Sequence, residues 1–328
     1  MQLFKTPNFN FIRWRWHAIG LSLLVIIAGA AMMATRGLPL GIDFSGGTIV
    51  IVRFDQAVTE DQVRGAVDSL AGDKVVQQYG TPDEGQWLIR LAQTQVTEQG
   101  ANLEAGSQQI LETLTKAGLT IDEILSREIV GPVIGADLQR RGLYATLASI
   151  LAITIYIGFR FRFSFAIGAI AATFHDIVVT LAFLVFFGYD LSLNIVAALL
   201  TITGYSVNDT IVIFDRVREN MRSMRKDSLE HVVNVSVNQT LSRTIITAGT
   251  TFLSVLALYI FGGEVLRGFA FTMLVGIISG TYSTVFIASS IAIILSQRRG
   301  GTKAGAATPP VGAPAASTPK QKKARAAS

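Results

Sequence analysis

Apolar residues follow two rhythms along this chain. In six stretches they run almost without interruption: residues 18–34, 142–159, 163–187, 191–214, 244–261 and 268–295. A hydrocarbon core of about 30 Å takes about 20 helical residues to cross, so each stretch reads as a membrane span. Only Gly188, Tyr189 and Asp190 separate the third from the fourth, which predicts a tight helical hairpin.

Between the first and second spans the rhythm shortens. A β-branched run at 48–54 predicts a strand, and Val63, Val67 and Leu70 lie at helical spacing within 59–70. Thr59 opens that helix with Gln62 three residues on, a capping box. Residues 74–79 and 86–91 read as strands around a Gly/Pro turn at 80–85. A second helix at 101–117 carries Ile110, Leu111 and Leu114 and stops at Gly118, and 120–130 reads as a last strand. The order β-α-β-β-α-β is the ferredoxin-like split arrangement, which hosts many functions and identifies none. The fold class is therefore an integral membrane α-helical bundle of six transmembrane helices with one extracytoplasmic ferredoxin-like α+β domain. Its expected division is a cytoplasmic flank at 1–17, helix 1 at 18–35, the α+β domain at 36–137, helices 2–6 at 138–297, and a disordered basic tail at 298–328.

Composition agrees: 50% of residues are apolar and only 16% charged, against about 25% charged in a soluble domain. Disorder, collagen, a coiled coil and a disulfide scaffold are excluded. With no cysteine, so are thiol catalysis and Cys-ligated metals; neither an enzyme nor a cofactor is expected. Residues 1–300 are neutral, and the whole net charge of +5 sits in a Gly/Ala/Pro tail with Lys303, Lys320, Lys322, Lys323 and Arg325. The high pI thus does not argue for a basic nucleic-acid-binding domain. The tail reads as a solvated linker, or as an electrostatic tether to anionic lipid or RNA-rich machinery.

Arg13, Arg15 and His17 before the first span also fit a signal peptide, but that span exceeds the usual apolar length and five more follow, so it reads as retained. Positive charge sets orientation. Lys5, Arg13 and Arg15, then Arg160 and Arg162, then the cluster from Arg216 to Arg243, and finally Arg298 and Arg299 fall on one side of a six-span chain. Both termini are expected in the cytoplasm, the protein being multi-pass in the plasma (inner) membrane. Arg140 and Arg141 are a local exception.

Ionisable residues within spans cost about 2.5–3.5 kcal/mol each on insertion scales and default to functional candidates. His175 and Asp176 sit mid-way along the third span; as neighbours on a helix they do not share one face. Asp209 lies in the polar string Gly204–Thr210, roughly 6–9 Å inside the cytoplasmic edge. Arg243 opens the fifth span at similar depth, where it either partners a carboxylate or snorkels. Such a carboxylate either exchanges protons or acts as a permanent polar clasp. Within 215–243, the Asp227–Glu230 start followed by Leu229, Val232, Val233, Val237 and Leu241 predicts an amphipathic helix, lying in the interface or facing the core. Gly249, Gly262, Gly263, Gly268, Gly276 and Gly280 serve either internal packing or a partner. The segment GIDFSGG at 41–47, with Asp43, Gly46 and Gly47, lacks phosphate-loop spacing and reads as a tight turn against a neighbour.

Several strings together resemble the SecF family of protein-export membrane proteins, in the SecD/SecF group of the resistance-nodulation-division superfamily. They are GIDFSGG at 41–47, VGPVIGADLQRRG at 130–142 (with Gly131 and Pro132), FHD at 174–176, GYSVNDTIVIFDRVREN at 204–220, SVNQTLSRTIITAGTT at 236–251 and FGGEVLRGFAFTMLVG at 261–276. The resemblance covers about residues 1–297; Ser289 and Ser290 depart from it, where the family often places proline. It implies pairing with SecD in a pseudo-symmetric hetero-oligomer. It also implies association with the SecYEG channel and a translocating polypeptide, YidC as a further candidate partner, and export driven by the proton gradient. By the same resemblance Asp209 and Arg243 belong to the proton path, with His175 and Asp176 a recurrent pair beside it. Two rival readings are a proton-coupled small-molecule or lipid transporter of the superfamily, and an assembly factor whose buried charges are structural.

Overall fold

The computed structural model describes residues 7–72, 74–80, 84–91 and 104–304. The basic tail from 305 onward and the start of the helix expected at 101–117 lie outside the described residues. A short 3-10 turn, Ile12–Trp14, leads into α1 (Arg15–Arg36); a one-turn helix α2 (Ile42–Ser45) then precedes the sheet domain. That domain contains β1 (Gly47–Phe54), α3 (Glu60–Val67), β2 (Lys74–Tyr79), β3 (Gln86–Leu91), α4 (Ala105–Lys116) and β4 (Ile121–Val130). The strands form one antiparallel sheet in the order β2-β3-β1-β4. This is the expected split arrangement, with α3 and α4 supplying Val63, Val67, Ile110 and Leu114 to a core completed by Val50, Val52, Trp87 and Ile89. The capping box forms: the Thr59 N–H donates to Gln62 Oε1 at 2.9 Å.

The rest is helical: α5 (Pro132–Arg160), α6 (Phe163–Phe187), α7 (Leu193–Ser223), α8 (Leu229–Phe261), α9 (Gly263–Ser283), a π-helical turn (Thr284–Ala288) and α10 (Ser289–Ala304). Six helices are long and apolar enough to cross a membrane, the last running through the π turn from Val265 to Arg298. Their outer faces carry Leu23, Leu24, Leu151, Leu253 and Phe159, all more than half exposed, as lipid-facing positions should be. The hairpin between α6 and α7 closes as expected: Gly188 takes a left-handed conformation at the end of α6, and the Ser192 hydroxyl accepts the Ile195 N–H to start α7.

Of the two placements expected for the amphipathic segment the core-facing one is found, and one helix boundary differs from expectation. Residues 229–243 form no separate interfacial helix; they are the first turns of α8, started by the Ser228 side chain accepting the His231 N–H. Val232, Val233 and Val237 pack into the bundle core with Phe214 and Val217 rather than facing a headgroup layer. The same stretch holds the N-terminal segment: Asn234 and Asn238 accept the Phe11 and Phe9 N–H groups at 2.9 Å, so the buried face is already committed. Second, α5 starts at Pro132, ten residues before its apolar run. Its polar first turns are held by the Arg141–Asp137 pair at 2.7 Å, an i,i+4 contact that helical spacing allows.

Candidate functional site

A carboxylate in a bundle core needs hydrogen-bond donors, and Asp176 on α6 is 1% exposed. Three serine hydroxyls donate to it: Ser206 of α7 at 2.5 Å, and Ser279 and Ser283 of α9 at 2.8 and 2.7 Å. His175 completes the set, its Nδ1 lying 3.0 Å from Asp176 Oδ1. The neighbours expected to face apart are therefore bonded to each other, because the imidazole turns back along the helix. His175 Nε2 meets Ser22 Oγ of α1 at 2.9 Å, Ser22 donates to the Tyr282 hydroxyl at 3.3 Å, and Tyr282 donates to the Ala18 carbonyl at 2.6 Å. With Ser22 donating onward, Nε2 is the donor to Ser22. His175, Ser22, Ser279 and Tyr282 also line a cavity of about 250 Å³ between α1, α6 and α9.

Asp209 stands on α7 one turn beyond Ser206, roughly 4.5 Å further along the axis. It is 6% exposed, and its Oδ2 has no hydrogen-bond partner among the described residues. The Arg243 guanidinium acts on it from α8 through space rather than by a hydrogen bond. Arg243 itself is exposed on the outer face of the bundle. Thr210, the next residue on α7, meets the hydroxyl of Thr284 at 2.9 Å. Thr284 begins the π turn, so the irregular turn falls directly after Ser283 and beside the two carboxylates. π turns are rare and concentrate at functional sites. Ser289 also donates its hydroxyl to the Thr284 carbonyl at 3.1 Å.

Close approach of α9 to α7 makes this possible. A Cβ on Gly276 would lie 2.2 Å from the Ile202 side chain, and one on Gly280 would lie 3.0 Å from that of Ser206. These glycines serve internal packing, whereas Gly249 and Gly204 have nothing within 4 Å of that position. Gly204 belongs to an outward seam on α7, comprising Asn194, Ala197, Thr201, Gly204 and Asn208, all exposed. On α8, Arg243, Thr247, Thr250 and Ser254 are exposed beside it. Both seams are small and polar at membrane depth.

The motif at 41–47 forms a joint between the sheet domain and the bundle. Asp43 Oδ2 accepts the Leu193 N–H at 2.8 Å, capping the first turn of α7. Backbone bonds run from Gly41 to Leu191 at 2.8 Å and from Leu191 to Pro39 at 2.7 Å. Arg90 of β3 donates to the Leu40 carbonyl at 3.0 Å and to Asp190 at 2.7 Å. Gly46 and Gly47 carry positive φ, and a Cβ on Gly135 of α5 would lie 3.0 Å from the Gly46 nitrogen. Gly131 caps α5, with Pro132 in its first turn. Sequence reasoning missed Ser22, Ser279, Ser283, Tyr282 and Thr284. The only signal for any of them was the four-residue spacing of Ser279 and Ser283, which puts both on one face.

The family model for Protein export membrane protein SecD/SecF, C-terminal, matches residues 110–298, and the SecD/SecF GG Motif matches residues 31–58. A protein translocase subunit SecF from Koribacter versatilis is 35% identical, with 92% of this chain and 95% of that relative covered. The chain belongs to the SecD/SecF family. A SecF from Escherichia coli O157:H7 is 37% identical, covering 89% of each chain. The crystal structure of SecDF from Thermus thermophilus, described as a translocon-associated membrane protein, superposes with a TM-score of 0.78 at 34% identity. It covers 89% of this chain, which spans only 39% of that SecDF chain. The two matched regions of this SecD/SecF-family member contain the joint except Arg90, and the whole polar core except Ser22. It is a multi-pass membrane protein of a family in Sec-pathway protein transport.

Proposed function

We propose that the chain is the SecF-type half of a motor that uses the proton gradient to promote polypeptide translocation through the SecYEG channel. In this reading SecD supplies the other half, and YidC is an accessory partner. The carrying observation is the buried Asp209 oxygen without a partner: a permanent clasp would satisfy it, whereas a proton-exchanging site leaves it open. Asp209 takes and releases the proton, Arg243 stabilises its ionised form, and the His175–Asp176 pair with its serines relays or balances charge. Pairing is supported by the outward polar seams of α7 and α8, which lipid would solvate poorly, and by the greater length of the related SecDF chain. The arginine-rich ends support cytoplasmic termini in the inner membrane, with the sheet domain on the opposite side. A proton crossing 100 mV yields about 2.3 kcal/mol, enough to shift a two-state equilibrium about fiftyfold. Movement of α7 then reaches the sheet domain through the Asp43 cap and Arg90.

Asp209→Asn keeps size and hydrogen bonding but cannot titrate. Proton-gradient-dependent stimulation of export into inverted membrane vesicles should vanish, with normal protein level and SecD association. Arg243→Lys should show a partial defect, since lysine lacks the planar fork. Normal export by Asp209→Asn across a range of imposed gradients would sink the proton-site assignment.

A further inference from the structure

The turn between α5 and α6 carries Arg160, Phe161 and Arg162, and α7 passes beside it with Arg218 and Arg222 one turn apart. Together they enclose a cavity of about 570 Å³, within the size range of small-ligand sites. Four guanidinium groups line it. Arg160 is already matched, bonding Asp215 at 2.6 and 2.9 Å. Arg162, Arg218 and Arg222 have no acidic partner among the described residues. Three unmatched like charges around one cavity repel each other, so the arrangement favours an anion between them. The start of α6 at Phe163 adds the positive end of a 25-residue helix.

The floor of the cavity is apolar. Phe214 packs edge-on to Phe161 at 5.9 Å and to Phe165 at 5.0 Å. The cavity lies where the apolar run of α5 ends, and Phe159 and Phe163, next in sequence to its lining residues Arg160 and Arg162, are 91% and 57% exposed. An apolar run that ends in arginines marks the boundary between hydrocarbon and the lipid headgroups. A soluble anion would use the arginines but leave these aromatics bare; a lipid uses both. We propose that the cavity binds the phosphodiester headgroup of an anionic phospholipid, with Arg162, Arg218 and Arg222 as its ligands and the acyl chains beside Phe159 and Phe163. Bound there, the lipid ties the α5–α6 turn to Arg218 and Arg222 near the end of α7, nine and thirteen residues beyond Asp209.

The test uses the purified full chain in mild detergent, with lipid retention counted by native mass spectrometry. Phosphatidylglycerol should be retained in preference to phosphatidylcholine of the same acyl chains. Arg222→Gln should lower phosphatidylglycerol affinity about fivefold, and Arg162→Gln with Arg218→Gln and Arg222→Gln on the order of a hundredfold, as expected of surface cations near anionic lipid. The triple Arg→Lys variant should restore most of it. Arg216→Gln with Arg225→Gln, outside the cavity, should change nothing. The assignment is overturned if the triple Gln variant keeps the preference, or if the outside pair loses as much. Displacement of phosphatidylglycerol by millimolar inorganic phosphate would identify a soluble-anion site instead and overturn the lipid. Should the triple Gln variant fail to fold by thermal unfolding, the three single Gln variants decide: unchanged retention in all of them overturns the proposal.

Discussion

The sheet domain and the helical bundle solve opposite problems. In the domain, Val50, Val52, Val63, Ile89, Ile110 and Leu114 form a dry core, and among the described residues only Thr48 and Ser107 are polar and buried there. Its charges lie outside, as in Arg53 with Asp122 and Glu123 or Arg64 with Glu60. In the bundle the polarity inverts. Leu23, Leu151, Leu253 and Phe159 face outward, while Asp176, Asp209, His175 and a dozen or more hydroxyls are buried. Water rewards apolar burial, whereas lipid offers apolar groups no reason to move inward and gives polar groups every reason to do so. Stability in the domain comes from packing, and helix placement in the bundle from hydrogen bonds and small residues.

The sharpest break of that contrast is to place a charge in the dry core. Leu114→Asp sets an unpaired carboxylate where the exposure is 0%. The cost should exceed the roughly 5 kcal/mol that holds a small domain. A water-soluble fragment of residues 38–130 should unfold cooperatively, and the same fragment with Leu114→Asp should show no transition. If it melts like the parent, the core is not where the structure puts it.

The mirror experiment removes a charge from the wet core. Asp176→Leu strands three serine donors and His175, and should cost about 3 kcal/mol in thermal unfolding of the detergent-solubilised chain. Asp176→Asn, which keeps one acceptor oxygen, should cost about half of that. A fully stable Leu variant would mean that the carboxylate does not organise the bundle.

The smallest effect lies at the joint between the two regions. Arg90→Gln should weaken docking by about 1–2 kcal/mol, the worth of a charge-assisted bond, read as faster hydrogen exchange at the Leu191 and Leu193 amides. Asp190 adds a pH dependence with a definite sign. Burial raises its carboxyl above the ordinary 3.8, and the pull of Arg90 only partly offsets this. The docked state therefore binds more protons than the unfolded one, so joint stability is full below about pH 3.8 and falls as pH rises through the raised value. Asp190→Asn should flatten that dependence, and an unchanged slope would remove Asp190 from the account.

Much of this was legible in the residues. The boundaries of β2 and β3 agree with the strands expected at 74–79 and 86–91 on either side of a Gly/Pro turn, and the capping box at Thr59 forms. Local chemistry sets those features: a strand's alternation and a cap's geometry need only neighbouring residues. The choice between an interfacial and a core-facing helix at 229–241 stayed open for the converse reason. Val232, Val233 and Val237 form the same stripe whether they meet lipid headgroups or Phe214, and only the fold chooses. The His175–Asp176 bond was hidden by the rule that adjacent helical residues diverge, which holds for Cβ directions but not for a side chain long enough to turn back.

The sequence by itself determined six spans, the β-α-β-β-α-β order, and His175, Asp176, Asp209 and Arg243 as the charged candidates within the spans, because run length, periodicity and cost of burial are properties of short segments. Tertiary structure alone decided that Ser206, Ser279 and Ser283 converge on Asp176, that Asp209 keeps an unpartnered oxygen, and that Asp43 and Arg90 tie the sheet domain to the start of α7. A uniformly apolar helix specifies that it enters the membrane but not how it rotates about its axis. That rotation, set by glycine contacts such as Gly276 against Ile202 and by the π turn after Ser283, determines which hydroxyl faces which carboxylate.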